Sequence, residues 1–333
     1  MRQLLRGLSN ATDTGKWRTT MPGTVRLENN MRLIALLLNP AIFGALALFL
    51  SLIWMLLDQK DKTRPLLVFA LVLNLFFGSL LNVFMGKEGG LLPWKYDHIL
   101  FVIDQALGVS TAALAAPLQG AWRIPLIVVY QFMVPMMICW FLVTRHRKLR
   151  GSVVMAYVGE LVAGPLLYAV LPACGPAYAF GAQWLHPPQV QAGIMRLASM
   201  PNAFPSLHIA TAFVFVLFAP GKLWRAVALS YLAATGMATL STGEHYVIDL
   251  VAGLAFGCFA ANVGFGRYRI AFLYLGVVLS WSLTIRFAYG FLIAHPSLLR
   301  SFALLTVGMA IVSLISEWRV LAVPAPEPAI VLA

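Results

Sequence analysis

Two histidines and one aspartate are the residues whose types and spacing point to chemistry in this sequence. His208 follows the residues Phe-Pro-Ser-Leu, and His245 lies four residues before Asp249 in the segment His-Tyr-Val-Ile-Asp. Because residues i and i+4 share one face of a helix, the carboxylate of Asp249 can orient the imidazole of His245 and favour its cation. With His208 as a proton donor, these groups are the parts required for covalent catalysis by an imidazole nucleophile.

Packing and metal binding are the alternative explanations of these residues. A single histidine near a helix end is more often structural, but two histidines at matching helix starts are harder to explain by packing alone. His208, His245 and Asp249 could also form a facial triad around a metal ion. No cysteine lies near them in the sequence to strengthen a metal site. The sequence therefore predicts no metal and no other cofactor.

The composition of the chain excludes a water-soluble globule. Of 333 residues, 60% are hydrophobic and 11% are charged, whereas a soluble domain has about 25% charged residues. This composition predicts an all-α, polytopic helical membrane protein. The net charge of +12 comes mainly from basic residues in the short connections between apolar runs, where lipid headgroups and the positive-inside bias account for them. No nucleic-acid partner is predicted.

The apolar runs place both histidines at the starts of predicted spans. A helix needs about 20 apolar residues to cross the hydrocarbon core. Four runs meet that length with almost no charge: 33–57, 66–85, 124–144 and 153–171. Five more, some of them shorter, bring the number to about nine: 204–218, 226–241, 246–263, 270–294 and 302–316.

Two connections are much longer than the roughly two to eight residues usual between bundled helices. The first, 86–123, contains the weakly apolar segment 94–121 with Asp104, which is predicted to form a helix lying in the membrane interface. The second, 172–203, is rich in Gly, Pro and aromatic residues and is predicted to form an ordered cap.

Alternation through nine spans puts both long connections and His245 on one face of the membrane. The opposite face receives most of the basic residues of the connections, so it is predicted to be cytoplasmic and the candidate site non-cytoplasmic. In a bacterium this would be a multi-pass protein of the plasma or inner membrane. The basic residues of segment 1–32 contradict this orientation unless 99–121 also crosses, which would bury Asp104.

At these residues the chain resembles the type 2 phosphatidic acid phosphatase superfamily, and more closely its branch related to inositol phosphorylceramide synthases. The matching segments are 204–208 (Phe-Pro-Ser-Leu-His) and 245–253 (His-Tyr-Val-Ile-Asp-Leu-Val-Ala-Gly), with a weaker match at 96–104. The resemblance implies a catalytic core of six spans within 66–263, with interfacial segment 94–121 and cap loop 172–203. The additions would be a polar segment 1–32, accessory spans at 33–57 and 270–316, and a tail, 317–333.

The resemblance also implies the role of each residue. His245 would be the nucleophile that takes the phosphoryl group, Asp249 would hold its other ring nitrogen, and His208 would protonate the departing oxygen. Ser206 and the backbone amides near Leu207, at a helix start, offer donors for phosphate oxygens.

The cationic residues depart from the wider superfamily, which has a Lys with Arg-Pro before the first motif and Ser-Arg before the second. Segment 172–203 has one basic residue, Arg196, and Leu207 stands where Gly is usual. These departures agree with the synthase-like branch, in which a Gly-Pro segment, here Gly175-Pro176-Ala177-Tyr178, occupies the earlier loop. Arg286 and Arg123 are the predicted substitutes for the missing phosphate clamp, although either arginine can instead snorkel to the interface.

The predicted function is a metal-independent lipid phosphotransferase or phosphatase. Its partners would be a membrane phospholipid substrate and an alcohol or polyol acceptor. The alternatives are a simple phosphatase of phosphatidate or polyprenyl (di)phosphate, a transporter with a proton relay through His and Asp, and a structural membrane subunit. Transporters more often show repeated halves with charges near the midplane. Water and an alcohol both remain as acceptors, because both reactions begin with the same phosphohistidine. No oligomeric state is predicted.

Overall fold

The computed structural model describes residues 49–54, 57, 62–73, 92–144 and 147–320. In this part of the chain the regular structure is helical apart from one two-stranded ribbon. The elements are, in chain order, α1 (Thr63–Leu73), β1 (Trp94–Lys95), α2 (Asp97–Leu107), α3 (Thr111–Ala115), α4 (Arg123–Gln131), α5 (Met133–Val143), α6 (Arg147–Val170), α7 (Pro176–Phe180), β2 (Met195–Arg196), α8 (Leu207–Leu217), α9 (Lys222–Thr242), α10 (Val247–Gly264), α11 (Tyr268–Ala294) and α12 (Pro296–Val320). Residues 49–54 are also helical, and 3-10 turns occupy Ala116–Leu118, Gly120–Trp122 and Gly181–Gln183.

The prediction of an all-α, multi-pass membrane protein is confirmed. Four helices, α6, α10, α11 and α12, are long and apolar enough to cross a membrane, and there are six spans if two bent pairs each count as one. The predicted total of about nine exceeds this number for the described residues. One reason is that α8 has only 11 residues, fewer than a crossing needs. The predicted spans 33–57 and 66–85 lie largely outside the described residues, and the accessory and core boundaries drawn from the sequence stay predictions.

The segment predicted as one interfacial helix, 94–121, is instead a bent pair. The axes of α2 and of the helix from Thr111 to Leu118 differ by 79°. Gly108, with a φ of 87°, ends α2 in the left-handed region that glycine adopts without a steric cost. The Ser110 side chain then accepts a hydrogen bond from the Ala113 amide and starts the next helix. The apolar character of the whole segment does not reveal this break.

The two long connections meet in the ribbon. Strands β1 and β2 are antiparallel, with Trp94 opposite Arg196 and Lys95 opposite Met195. The ribbon joins the segment before α2 to the segment before α8, although the two strands lie about 100 residues apart. The cap loop 172–203 contains β2 and, before it, α7 and one 3-10 turn.

Glycines on α10 let it pack closely against α8. A Cβ atom on Gly253 would come within 2.7 Å of the Ser206 carbonyl oxygen, and one on Gly257 within 2.8 Å of the Ala210 carbonyl oxygen. Small residues of this kind allow close backbone approach between membrane helices. The two helices that begin beside His208 and His245 are therefore held in direct contact.

Candidate active site

His245 lies in the turn between α9 and α10. Gly243, with a φ of 71°, ends α9 in the left-handed region. The imidazole is buried, with 1% of the residue exposed, and its Nδ1 atom lies 2.8 Å from the Ala203 carbonyl oxygen. A carbonyl only accepts hydrogen bonds, so Nδ1 must carry the proton and Nε2 keeps its lone pair. Burial lowers the pKa of His245 to about 4, which leaves the ring neutral at ordinary pH.

Asp249 supports the same ring from the first turn of α10. Its Oδ2 atom accepts a hydrogen bond of 2.7 Å from the Tyr246 amide and lies 3.5 Å from Nδ1 of His245. The hydrogen bond from Nδ1 of His245 thus goes to Ala203, and the Asp249 carboxyl group lies beside the same nitrogen. The physical reason is that this carboxylate is drawn to the open amides at the start of its own helix. The predicted role for Asp249, holding the ring nitrogen, stays a prediction.

His208 lies in the first turn of α8 and faces His245. The two ring centroids are 6.1 Å apart and the rings are inclined at 65°. On its other side His208 stacks on Tyr130 of α4, with centroids 3.9 Å apart. The sequence did not indicate Tyr130, because nothing in its local pattern distinguishes it from other aromatic residues of a span.

The start of α8 is tied to the start of α10. The Ser206 amide donates to the Asp249 carbonyl oxygen at 3.1 Å, and the Ser206 hydroxyl accepts from the Ile209 amide at 3.4 Å. The side chain of Leu207 points to α6, where a Cβ atom on Gly164 would lie 2.8 Å from Leu207 Cδ2. The Ser206 amide is therefore occupied by the contact between the two helix starts, whereas the Ser206 hydroxyl still has a proton that it can donate to a phosphate. The Leu207 side chain packs against α6.

Asp104, from α2, caps the start of α10. Its Oδ2 accepts from the Val247 amide at 2.8 Å and its Oδ1 from the Ile248 amide at 3.0 Å. The Thr111 hydroxyl donates to Oδ2 at 2.6 Å. An acid at this position satisfies the first open amides of the helix. Asp104 thus holds the residues that directly follow His245 and Tyr246.

Asp97, seven residues earlier on α2, holds the other side of the turn. Its Oδ1 atom accepts from the Gly175 amide at 2.8 Å, the Cys174 amide at 3.1 Å and the Tyr246 hydroxyl at 3.2 Å. From the sequence, neither Asp104 nor Asp97 was assigned a role at the site, although both lie in the weaker matching segment 96–104. Two acids spaced seven apart in an apolar segment were the available signal, since such acids need buried partners.

The Gly-Pro segment of the cap covers the turn that carries His245. Gly175 has a φ of 91°, and a Cβ atom there would come within 2.2 Å of the Glu244 carbonyl oxygen, so only glycine fits. Pro176 begins α7, and the Tyr178 hydroxyl donates to Glu244 Oε1 at 2.9 Å. Burial raises the pKa of Glu244 above its ordinary value. Glu244, beside the nucleophile candidate, was not singled out from the sequence.

The predicted cationic residues are not gathered around the histidines. Arg123 at the start of α4 and Arg196 in β2 are exposed, and neither forms a hydrogen bond or ion pair with His208 or His245 among the described residues. Arg286 of α11 donates to the Val170 carbonyl oxygen and lies over the Tyr96 ring at 5.9 Å. A phosphate clamp formed by these three arginines stays a prediction.

Within the described ranges, no group of three or more His, Cys, Asp or Glu side chains is placed to hold a metal ion. The arrangement instead offers a neutral imidazole with a free Nε2, a second imidazole opposite it and a buried carboxylate beside the first. This set can accept a group on nitrogen and exchange a proton with a leaving or entering oxygen.

One comparison with known proteins gives a match. The model of the PAP2 superfamily matches residues 98–263, from α2 to the end of α10. This region contains both histidines and Asp249. No curated protein and no solved structure matches the chain.

Proposed function

We propose that this chain is a membrane enzyme of the PAP2 superfamily that works through a phosphohistidine, as a phosphatase or phosphotransferase acting on a lipid phosphate. The observation that carries the proposal is the pair of imidazole rings at the joined starts of α8 and α10, 6.1 Å apart. The pair lies inside the region that matches the superfamily.

In the first step, Nε2 of His245 attacks phosphorus. A P–N bond forms as the bond from phosphorus to the leaving oxygen breaks, and that oxygen takes its electron pair and a proton from cationic His208. Burial lowers the pKa of His208 in the empty site, so its proton arrives with the anionic phosphate, whose charge favours the imidazolium. The phosphorylated ring carries positive charge. The proton on Nδ1 keeps its hydrogen bond to the Ala203 carbonyl oxygen, and the Asp249 carboxylate at 3.5 Å stabilises the charge.

In the second step, the hydroxyl of water or of an alcohol attacks the phosphohistidine. The entering oxygen gives its proton to His208, which is now neutral, and the P–N bond breaks to return His245 with its lone pair. In both steps His208 exchanges the proton and Asp249 stabilises the charge, so the proposed reaction needs no metal ion. Ser206 and the amides at the start of α8 are the proposed donors to the phosphate oxygens.

We infer that the acceptor is an alcohol, such as a polyol or a lipid headgroup. A transferase must bind a second substrate and keep water from the intermediate, and closing a site excludes competing hydrolysis. The cap supports this inference, since Gly175 packs on the turn beside His245 and Tyr178 bonds to Glu244. The resemblance to inositol phosphorylceramide synthases favours the same reaction on a phospholipid.

Product analysis tests the proposal. The purified protein is incubated with labelled phospholipids, with and without a panel of alcohol acceptors, and the products are identified. We expect label to appear in an acceptor phosphoester. If inorganic phosphate or free headgroup phosphate is the product with every acceptor, the protein is a simple lipid phosphatase. If no phospholipid or polyprenyl phosphate is turned over, the enzyme assignment fails and the proton-relay transporter becomes the better hypothesis.

A further inference from the structure

A cavity of about 400 Å³ opens between the end of α6, the ribbon and α11. Its wall is mostly apolar and aromatic, and Arg286 is its cationic residue. The residues that line the cavity include Leu92, Trp94, Tyr96, Ala169, Ile194 and Arg286. Cavities of this size that combine apolar walls with a few polar groups are typical of small-molecule and cofactor sites.

Arg286 has no acidic partner in the part of the chain that the structure describes. Its contacts are the Val170 carbonyl oxygen and the faces of the Tyr96 and Phe287 rings, whose centroids lie 5.9 and 5.5 Å from the guanidinium carbon. A guanidinium has five N–H donors in a planar fork that matches phosphate geometry. Charged side chains within membrane spans are costly and mostly mark ligand pathways. Arg286 therefore has donors left for an anion.

The position of Arg286 suits a lipid headgroup. It lies eight residues before the end of α11, and a kink at Ala288 separates it from that end. The surrounding helix surfaces are open to lipid, since Leu166 of α6 is 66% exposed and Phe287 of α11 is 74% exposed. An amphiphile can thus reach the cavity sideways, with its anionic group near Arg286 and its apolar part against the wall.

A short series of hydrogen bonds links this cavity to the candidate nucleophile. The Tyr96 amide donates to the Pro172 carbonyl oxygen at 2.9 Å, and both residues line the cavity. At the next residue, the Ala173 carbonyl oxygen accepts from the Ala203 amide at 2.9 Å. The Ala203 carbonyl oxygen then accepts from Nδ1 of His245 at 2.8 Å.

We propose that this cavity binds an anionic phospholipid, with the lipid phosphate on Arg286 and the glyceride part against Leu92, Ala169 and Ile194. The site deepens the proposed function and rests on it for its purpose, which is to hold lipid beside the catalytic turn. Binding itself requires no turnover. A free phosphate could contact the same guanidinium, but only a lipid would also use the apolar wall.

Photolabelling of the full chain tests the proposal. The His245→Ala protein, which the proposed mechanism makes inactive, is placed in phosphatidylcholine nanodiscs with a trace of phosphatidate that carries a diazirine near the glycerol. We expect labelled peptides from 92–96, around Ala169 or around Ile194. The Arg286→Gln change should lower this labelling at least fivefold, and Arg286→Lys should lower it less because one cation remains.

Arg300 provides a matched control. Its guanidinium also donates to backbone carbonyls, those of Leu107 and Ala106, but it does not line the cavity. Arg300→Gln should leave the labelling unchanged. A diazirine phosphatidylcholine should label the same peptides at least fivefold less than phosphatidate.

Three outcomes would overturn the lipid site. The first two are equal labelling of Arg286→Gln and wild-type cavities by phosphatidate, and equal labelling by the phosphatidylcholine probe. The third is loss of the phosphatidate labelling when low millimolar inorganic phosphate is added with no competing lipid. The last would assign the cavity to the free anion. Because the label is read in an inactive protein, its loss is distinct from failure of the enzyme proposal, which product analysis detects.

Discussion

At the scale of single residues, the tautomer of His245 decides which atom can do chemistry. The Ala203 carbonyl oxygen requires the proton on Nδ1, so Nε2 is the atom with a free lone pair. The Asp249 carboxylate is close enough, at 3.5 Å, to stabilise a cationic ring without being its main hydrogen-bond partner. His208 completes the pair from α8.

The His245→Ala protein should be inactive, because the ring supplies the proposed nucleophile. It should still fold, because the hydrogen bond that the ring loses goes to a single backbone carbonyl, that of Ala203. Turnover of lipid phosphate and the melting temperature in detergent are the measurements. His295→Ala is the control, since that exposed histidine also contacts a carbonyl oxygen through Nδ1, at 2.9 Å from Phe291. Activity within tenfold of wild type in His245→Ala would remove the nucleophile assignment.

The His208→Ala protein should turn over substrates with poor leaving groups about 10²–10⁴-fold more slowly, because a general acid usually accelerates a reaction by that factor. Substrates with acidic leaving groups need no proton and should lose much less. The measurement is kcat/KM across a series of leaving groups. An equal loss across the whole series would assign His208 to binding or packing instead.

The acid limit of activity should lie near pH 4. Burial lowers the pKa of His245 to about 4, so the ring stays neutral and nucleophilic until the pH falls through that value. An ordinary histidine would lose its lone pair near pH 6.5. The test is the pH profile of kcat/KM for His208→Ala with an acidic leaving group, where His245 is the titrating group. Full activity on return to pH 7 controls for unfolding, and an acid limit near 6.5 would contradict the prediction.

At the scale of elements, α2 acts as a support for the catalytic turn. Asp104 accepts from the first amides of α10, and Asp97 accepts from the cap and from the Tyr246 hydroxyl. One helix therefore fixes the turn containing His245 from two sides. The bend at Gly108 brings Thr111 back to Asp104, and the Thr111 hydroxyl donates a third hydrogen bond to that carboxylate.

Replacing Asp104 with Ala should lower kcat at least tenfold while changing KM little, because the start of α10 loses the acceptor that orients it. Each buried amide left without a partner also costs about 1–3 kcal/mol of stability, and Asp104→Asn should be intermediate. The control is Glu160→Gln. Glu160 is also buried and bonds to the Thr211 hydroxyl at 2.5 Å, but it does not contact the turn. Equal losses of kcat in the two proteins, at matched melting temperatures, would reduce Asp104 to a general stability role.

At the scale of the whole molecule, the fold places the candidate chemistry at one end of a helical membrane bundle. The joined starts of α8 and α10 supply the candidate reacting groups, and the segment with α7 packs on the turn before α10. The long apolar helices α11 and α12 pack beside this core, and α11 contributes Arg286 to the neighbouring cavity.

Turnover by the whole protein should survive a strong chelator, because the proposed steps use imidazole and carboxylate groups and no metal ion. The measurement is lipid phosphate turnover after incubation with excess EDTA, followed by dialysis. A metal-dependent phosphatase assayed in parallel controls for effective chelation. Loss of activity that a divalent metal restores would favour a facial triad of His208, His245 and Asp249 instead.

The amino-acid sequence alone determined the fold class and indicated the candidate catalytic residues. Long apolar runs specify membrane helices because backbone polar groups in the hydrocarbon core must be hydrogen-bonded within the protein, which only helices and closed barrels achieve. The i, i+4 spacing places His245 and Asp249 on adjacent turns, and the two motif segments carried the resemblance to the superfamily. These features are local, so they can be recognised along the chain.

The tertiary structure decided what surrounds those residues. The acceptor for Nδ1 of His245 is the backbone carbonyl of Ala203, 42 residues away, and a carbonyl has no residue type that a sequence pattern could reveal. The same holds for the amides of Val247 and Ile248, which Asp104 reaches from 143 and 144 residues earlier. The predicted arginines were identified by their charge and their place along the chain. Only the tertiary structure shows that Arg286 borders a cavity while Arg123 and Arg196 are exposed. Contacts between distant backbone groups depend on how the helices pack, and local pattern does not encode that packing.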